Sequence, residues 1–260
     1  MRDSCPSNPA QIARSQIRSS EHTGITYGLA PDYVQCNLVI LKAKHAYEFL
    51  VFCQRNQRAC PVLEVTETGS YEPKRIAPQA DLRTDIPKYN VFRNGKLTEC
   101  PKDLSALWES DFVSFLIGSG ISFDATLSRA GISVDRRHRW VLRSTIPTDA
   151  AGPFRGNMVV TMRWMSHQDA IKATQITARF PFNHGAPIHI GSPDQIGADL
   201  KNPLHGPEIG PIPTDQIPVF WACGVTPQVA AEAAKLDIMI THAPAHGFIT
   251  DLKTNDVSLP

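Results

Sequence analysis

The sequence predicts an α/β protein, with a three-layer α/β main domain and a smaller α+β subdomain. Three observations carry that expectation. Apolar runs of strand length alternate with helix-spaced segments through most of the chain. Asn94-Gly95, flanked by two strand-like runs, is a strong hairpin signal. Residues 140–145 and 158–165 form a central pair of apolar strands, which with the hairpin suggests a second unit. The main domain is expected to be discontinuous, over residues 1–110 and 185–260, with the subdomain at 111–184.

In chain order, residues 1–22 are polar and helix-compatible, and read as a docking arm or terminus. Tyr33-Val-Gln-Cys-Asn-Leu-Val-Ile-Leu41 is a strand, residues 45–55 have helical spacing, and Pro61-Val-Leu-Glu-Val-Thr66 is a strand again. Residues 68–87 are rich in Pro, Gly and charge and read as a long loop. Within it, Asp81-Leu-Arg-Thr-Asp-Ile-Pro87 is too specifically decorated for a mere linker. After the hairpin, Phe112-Val-Ser-Phe-Leu-Ile117 is a buried strand. It runs into Gly118-Ser-Gly120 and a short helix ending near Gly131. Beyond the strand pair, Ser166-His-Gln-Asp169 is a capping-box-like start for a helix through Ala178. Residues 181–216 show little regular structure beyond Ile188-His-Ile190. Ile217-Pro-Val-Phe-Trp-Ala222 is a buried strand and Cys223-Gly224 a tight turn. Thr226 and Pro227 suit the N-cap and first position of a helix, since proline's missing N–H is not needed there. Ile238-Met-Ile-Thr-His-Ala243 is a further buried strand.

Composition bounds the function classes. Hydrophobic content of 42% and charged content of 20% are those of an ordinary soluble globular chain. No apolar run of about eighteen residues exists, so nothing is expected to span or anchor in a membrane. The first residues lack the apolar core of a secretory signal, which makes the cytoplasm the default location, with an organelle left open. The six cysteines show neither a disulfide framework nor a zinc spacing and read as reduced thiols. The net charge of +1 hides an asymmetry, because eight of the sixteen arginines lie in residues 129–179. They sit within strand-like patterns and the chain is not strongly basic, which disfavours nucleic acid and leaves a solvated face or anion recognition. The expected partner is a small-molecule carboxylate, and a homodimer is compatible with the sequence.

Several residues are candidates for chemistry. Cys223 stands in a strand-to-helix turn, where it is either a small packing residue or a thiolate nucleophile favoured by the helix N-terminus. Thr226 and Gln228 are either ordinary first-turn residues or, with nearby N–H groups, an anion or oxyanion site. Five of the nine histidines (His184, His189, His205, His242 and His246) fall in the last third of the chain. His242 and His246 bracket Ala-Pro-Ala after a buried strand, but Pro244 argues against a helical metal pair. No metal ligand set and no cofactor is predicted, although the clustered histidines leave a divalent metal open. Arg163 interrupts an otherwise apolar strand and therefore needs a carboxylate partner, from the protein or from a ligand. Arg179 lies at a helix end, where complementing the dipole would explain it. Gly118-Ser-Gly120 is a fragment of a phosphate loop too short to be specific.

These segments together resemble a known family. Tyr33-Val-Gln-Cys-Asn-Leu-Val-Ile, Asp81-Leu-Arg-Thr-Asp-Ile-Pro-Lys-Tyr89, Ile176-Thr-Ala-Arg-Phe-Pro181, His184-Gly-Ala-Pro-Ile-His-Ile-Gly191, Ile217 to Gln228 and Ile240-Thr-His-Ala-Pro244 look like the hydro-lyase family to which D-glutamate cyclase belongs. The resemblance runs in order over essentially the whole chain, and the Phe-Trp-Ala-Cys-Gly-Val-Thr-Pro-Gln block is its most specific part. It implies a two-part α/β fold and interconversion of D-glutamate with 5-oxo-D-proline and water. The chain departs from the family at Gly118-Ser-Gly-Ile-Ser-Phe-Asp124, where relatives show Gly-Cys-Ser-Phe-Ser-Phe-Glu. It departs again at Pro244-Ala-His-Gly247, where they show Pro-Gly-His-Met.

The chemistry of lactam closure then suggests roles. Arg163 or Arg179, with Arg83 as a further candidate, would clamp a substrate carboxylate. His184 or His242 would shuttle the proton, Asp85 would orient a histidine, and N–H groups around Cys223 to Gln228 would hold the oxyanion. His189 and His246 are further candidates for substrate contact. The competing readings are a Cys223-dependent amidase or transferase, a metal-dependent hydratase, and a non-enzymatic binder of small anions.

Overall fold

The computed structural model describes residues 8–210 and 213–259. The expectations placed on residues 1–7, Cys5 included, lie outside the described residues. The helices and strands, in order, are α1 (Pro9–Arg18), β1 (Tyr33–Lys42), α2 (Ala43–Arg55), β2 (Val62–Val65), β3 (Tyr89–Arg93), β4 (Lys96–Glu99), β5 (Phe112–Gly118), α3 (Asp124–Arg129), β6 (Trp140–Pro147), β7 (Asn157–Met165), α4 (His167–Ala178), β8 (His189–Ile190), β9 (Ile217–Ala222), α5 (Thr226–Ala233), β10 (Met239–His242) and β11 (Phe248–Lys253).

The strands form two sheets. The larger has the order β2-β5-β1-β10-β3-β4, with β11 also pairing β1; the smaller has the order β6-β7-β9-β8. The mixed α/β class is the one the sequence predicts. Every pairing among the described residues is antiparallel. The site therefore cannot rest on the carboxyl edge of a parallel sheet, where open α/β folds bind ligands. The smaller sheet draws on residues 140–222, while β5 belongs to the larger one.

Both faces of β1 are buried, and alternate residues serve separate cores. Val39 and Leu41 join Phe49, Phe52 and Cys53 of α2 and Ala230 and Ala231 of α5. Leu38 and Ile40 join Ile76, Ala77, Leu82 and Ile86 of the long loop. The third layer is thus the decorated loop rather than a helix. Asp85 explains its decoration. The carboxylate is wholly buried and accepts both Nε and Nη2 of Arg18 at 2.7 Å and the Asp81 N–H at 2.8 Å. Arg14, also buried, donates to the Ile249 carbonyl and to Asp251. A buried carboxylate is costly unless paired, so this network fastens α1 to the loop and to β11.

Local signals act mostly as the sequence implied. Asn94 and Gly95 both take positive φ, as a tight hairpin turn demands. Ser166 caps α4 by accepting the Asp169 N–H at 3.1 Å. Gly131 has φ 81, and the Ile132 N–H closes on the Leu127 carbonyl to end α3. One assignment shifts. Thr226 is the first residue of α5, not its cap, because its hydroxyl is taken by the β7 backbone, accepting the Val159 N–H at 2.9 Å. That bond ties the start of α5 to the smaller sheet while its apolar face packs on the larger one. The Cys223–Gly224 turn therefore sits on the seam. Glycine is required there, since a Cβ would collide with the Asn37 carboxamide.

Ala245 carries φ 64 in the left-handed region, where the resembling family has glycine. An L-residue held there loses about 1–2 kcal/mol relative to the right-handed region. Ala245→Gly is expected to raise unfolding stability by roughly 0.5–1 kcal/mol, after the larger backbone entropy of glycine is subtracted. Urea unfolding with an unchanged m-value checks this; a lower midpoint would contradict it.

Candidate active site

A cavity of roughly 470 Å³ opens along the seam between the two sheets. That is within the usual range for small-molecule sites. Its walls come from the turn after β9, the ends of β1, β5 and β10, the Gly185-preceding corner at His184, and the strands β6 and β7. Of the candidates drawn from the sequence, Arg163, His184, Cys223, Gln228 and His242 meet here.

Arg163 is 5% exposed, and its Nη2 donates to Asp124 at 2.6 Å. Arg139 donates to the other oxygen of the same carboxylate. One negative charge thus faces two guanidinium groups. Nε and Nη1 of Arg163 and Nε of Arg139 are buried without a hydrogen-bond partner. The Arg163 guanidinium lies 5.7 Å from the Phe123 ring centroid and 5.6 Å from that of Trp221, which hold it in place. Burial disfavours the Arg163 cation and pulls its pKa down. Asp124 stands behind the arginines, and no carboxylate lines the cavity among the described residues. The excess positive charge favours an anion here, while the three idle donors are sealed from solvent behind the cavity wall.

The two histidines differ in tautomer. His184 Nδ1 lies 3.0 Å from the Arg58 carbonyl. A carbonyl only accepts, so Nδ1 carries the proton and Nε2 keeps its lone pair. His242 Nδ1 accepts the Leu38 backbone N–H at 3.1 Å, so its proton sits on Nε2. Burial lowers both pKa values to about 4, so both rings are neutral at pH 7. The cavity wall therefore offers one proton acceptor and one proton donor at once. His184 also holds φ 78, an uncommon backbone state for a non-glycine residue in a buried site.

Cys223 faces the cavity half-buried, and desolvation of its sulfur raises its pKa. The helix N-terminus does not offset the desolvation, and the thiol stays protonated at neutral pH. Thr226 is spent on the β7 backbone.

The remaining candidates lie elsewhere. Asp85 pairs with arginines of α1 and touches no histidine. Arg83 pairs with Asp81 and stacks 3.5 Å over Tyr71. Arg179 donates to the Leu259 carbonyl. His189 packs against Phe220 and bonds the Ser192 carbonyl. His246 bonds the Pro244 carbonyl and is not part of the wall. Of the five C-terminal histidines, His184, His205 and His242 line the cavity and His189 and His246 do not, and no group of three or more His, Cys, Asp or Glu side chains among the described residues is arranged to hold a metal. Sequence reasoning passed over Tyr27, Asn37, Asp124 and Arg139. Only Asp124 left a signal, as the unnamed carboxylate that Arg163 demanded.

The family model described as D-glutamate cyclase matches residues 113–251, which include most of this wall. The chain belongs to the D-glutamate cyclase family. Its relatives span its whole length. A protein of Geobacillus kaustophilus is 50% identical over 254 residues, covering 95% of each chain. One from Bacillus subtilis is 47% identical, covering 95% of this chain and 97% of the other. One from Stutzerimonas stutzeri is 46% identical, covering 97% and 96%. All three are named as putative hydro-lyases. This family member is accordingly an enzyme of the hydro-lyase class. Among solved structures, a nitrogen repressor-like protein from Methanococcus jannaschii aligns with a TM-score of 0.38 at 11% identity, covering 87% of this chain and 90% of that one, a likeness too loose to carry an argument. Among the described residues no helix is long and apolar enough to cross a membrane.

Burial of the two histidines has a pH consequence. Above about pH 7.5 both are neutral in folded and unfolded chains, and they add no pH dependence. As the pH falls towards 4 the unfolded chain binds their protons first, and folding loses about 3 kcal/mol per histidine. Urea unfolding between pH 7.5 and 4 is expected to show this fall. Imidazole NMR resonances of His184 and His242 should hold their neutral positions down to about pH 5; titration near 6.5 would place both rings in contact with bulk water.

Proposed function

We propose that the protein interconverts D-glutamate with 5-oxo-D-proline and water in this cavity, without a cofactor. The observation that carries the reading is the pair of cavity-lining arginines sharing one carboxylate beside two neutral histidines of opposite tautomer. The unbalanced positive charge suits a carboxylate, and the histidines suit a reaction that moves protons without consuming any.

Lactam closure has that balance. The ammonium nitrogen loses two protons and the distal carboxylate loses one oxygen, which together leave as water. Arg163 and Arg139 hold a carboxylate of the substrate. His184 Nε2 takes a proton from the ammonium nitrogen and relays it to the distal carboxylate, and the freed amine then attacks the carbon of the resulting carboxyl group. The new C–N bond forms as the C=O pair moves onto oxygen, where the Gly224 N–H, without a partner among the described residues, stabilises the oxyanion. His184 Nε2 takes the second nitrogen proton and gives it to the departing hydroxyl, which His242 Nε2–H holds by a hydrogen bond; the C–O bond breaks, the C=O re-forms and water leaves. An imidazolium with pKa near 4 is a strong acid, so His184 passes each proton on rather than keeping it, while His242 stays neutral. Enclosure supplies the rest, since oriented intramolecular reactions reach effective molarities of about 10⁵ M or more.

Incubation with D- and L-glutamate and with both 5-oxoprolines, followed by chiral chromatography, is expected to show interconversion of the D pair alone. His184→Asn and His242→Asn should each lower kcat by about 10²–10⁴-fold. Cys223→Ser should retain most of the activity, because the thiol supplies no bond in this scheme. Absence of turnover with all four compounds would sink the reading. Near-complete loss in Cys223→Ser with the fold intact would move it to a covalent amidase or transferase.

A further inference from the structure

The cavity holds a second recognition element, opposite in sign to the arginines. Asn37 lies at the middle of β1 and is only 8% exposed. Its Nδ2 donates to the Gly118 carbonyl at 3.2 Å, with the Ile117 carbonyl at 3.5 Å. Two carbonyls on one side fix the rotamer, because the reverse orientation would set oxygen against oxygen. Oδ1 has no partner among the described residues, and it is not among the atoms sealed from solvent. Since Asn37 lines the cavity, that oxygen opens onto it.

Gln228 repeats the arrangement from the first turn of α5. His242 Nδ1 is fixed as an acceptor by the Leu38 N–H, so the Gln228 group 3.2 Å from it must be the amide nitrogen. Its Oε1 is thereby turned away from the histidine and also lacks a protein partner among the described residues. Gly224 belongs to the same device. Any side chain there would strike the Asn37 carboxamide.

Two amide oxygens with their nitrogen ends anchored form an acceptor pair without charge. The arginines already neutralise an acid, so a second carboxylate in the wall would cancel the anion site; neutral acceptors can bind a nitrogen and leave it intact. We propose that Asn37 Oδ1 and Gln228 Oε1 are the amine-recognising subsite, which makes the enzyme selective for amino-dicarboxylates over plain dicarboxylates. This rests on the carboxylate reading of Arg163 and Arg139 given above. By accepting N–H groups the pair also directs the nitrogen lone pair away from the wall.

Isothermal titration with D-glutamate and with glutarate, which lacks only the amine, tests the subsite. The wild type is expected to prefer D-glutamate by at least tenfold. Asn37→Leu should weaken D-glutamate at least tenfold and leave glutarate within twofold. Gln228→Met, on the half-exposed helix turn, carries the same comparison if Asn37→Leu fails to fold. Equal affinity for both probes in the wild type, or an equal loss of both in the variants, overturns the subsite while leaving the cyclase reading standing. Failure of either probe to bind, together with no turnover of D-glutamate, overturns both.

Discussion

Asp124 shared between Arg139 and Arg163 is the constraint on which the site depends. Two guanidinium groups and one carboxylate leave a net positive charge in a place where water cannot fully solvate it. Taking such a group out of water is expensive, and a buried pair is often no better for stability than apolar packing. The fold accepts that cost and supports it with Phe123 and Trp221, whose rings flank Arg163. The charge has no protein answer left, so the arrangement is complete only with an anion present. Binding should therefore recover part of what folding gave up there.

The architecture determines where that charge sits. Neither sheet alone has a functional edge. The larger contributes β1 and β10, which carry Asn37 and His242; the smaller contributes β7 and β9, with His184 between α4 and β8. The Cys223–Gly224 turn joins them, with Thr226 tied to β7 and α5 packed on the larger core. Antiparallel sheets meeting along a seam can bring together side chains that no single strand-to-helix unit presents. In the sequence this turn suggested a reactive thiol. In the fold it is a hinge of close contacts whose sulfur is protonated and whose backbone lies open.

How much could be read from sequence differs by residue, for physical reasons. Arg163 was legible because a charge inside an apolar strand has to be answered. The Ile217–Gln228 segment was legible because strand, turn and helix signals are all local. Asn37 was hidden, since a polar residue inside a buried strand looks like ordinary pleat alternation until its neighbours are known. Arg139 was lost among many arginines. Asp85 and Arg83 misled in the other direction, because structural ion networks and catalytic ones draw on the same residue types. Strand β11 was missed because its pairing with β1 is not visible in local pattern. The long loop was recognised as a loop, but its place as a layer over the sheet depends on contacts with α1 and β11.

The central position of β1 has one more consequence, for how the chain reaches this state during synthesis. One edge of β1 can be filled early, by β5, some eighty residues downstream. The other waits for β10 and β11, and Arg14 waits for Ile249, a separation of 235 residues. A nascent chain leaving the ribosome thus carries a long apolar strand with one open edge through most of translation. Contacts this non-local fold slowly and expose sticky surface meanwhile. The first third of the protein is therefore a natural client for chaperones that shield strand edges, and release should coincide with emergence of the last strand.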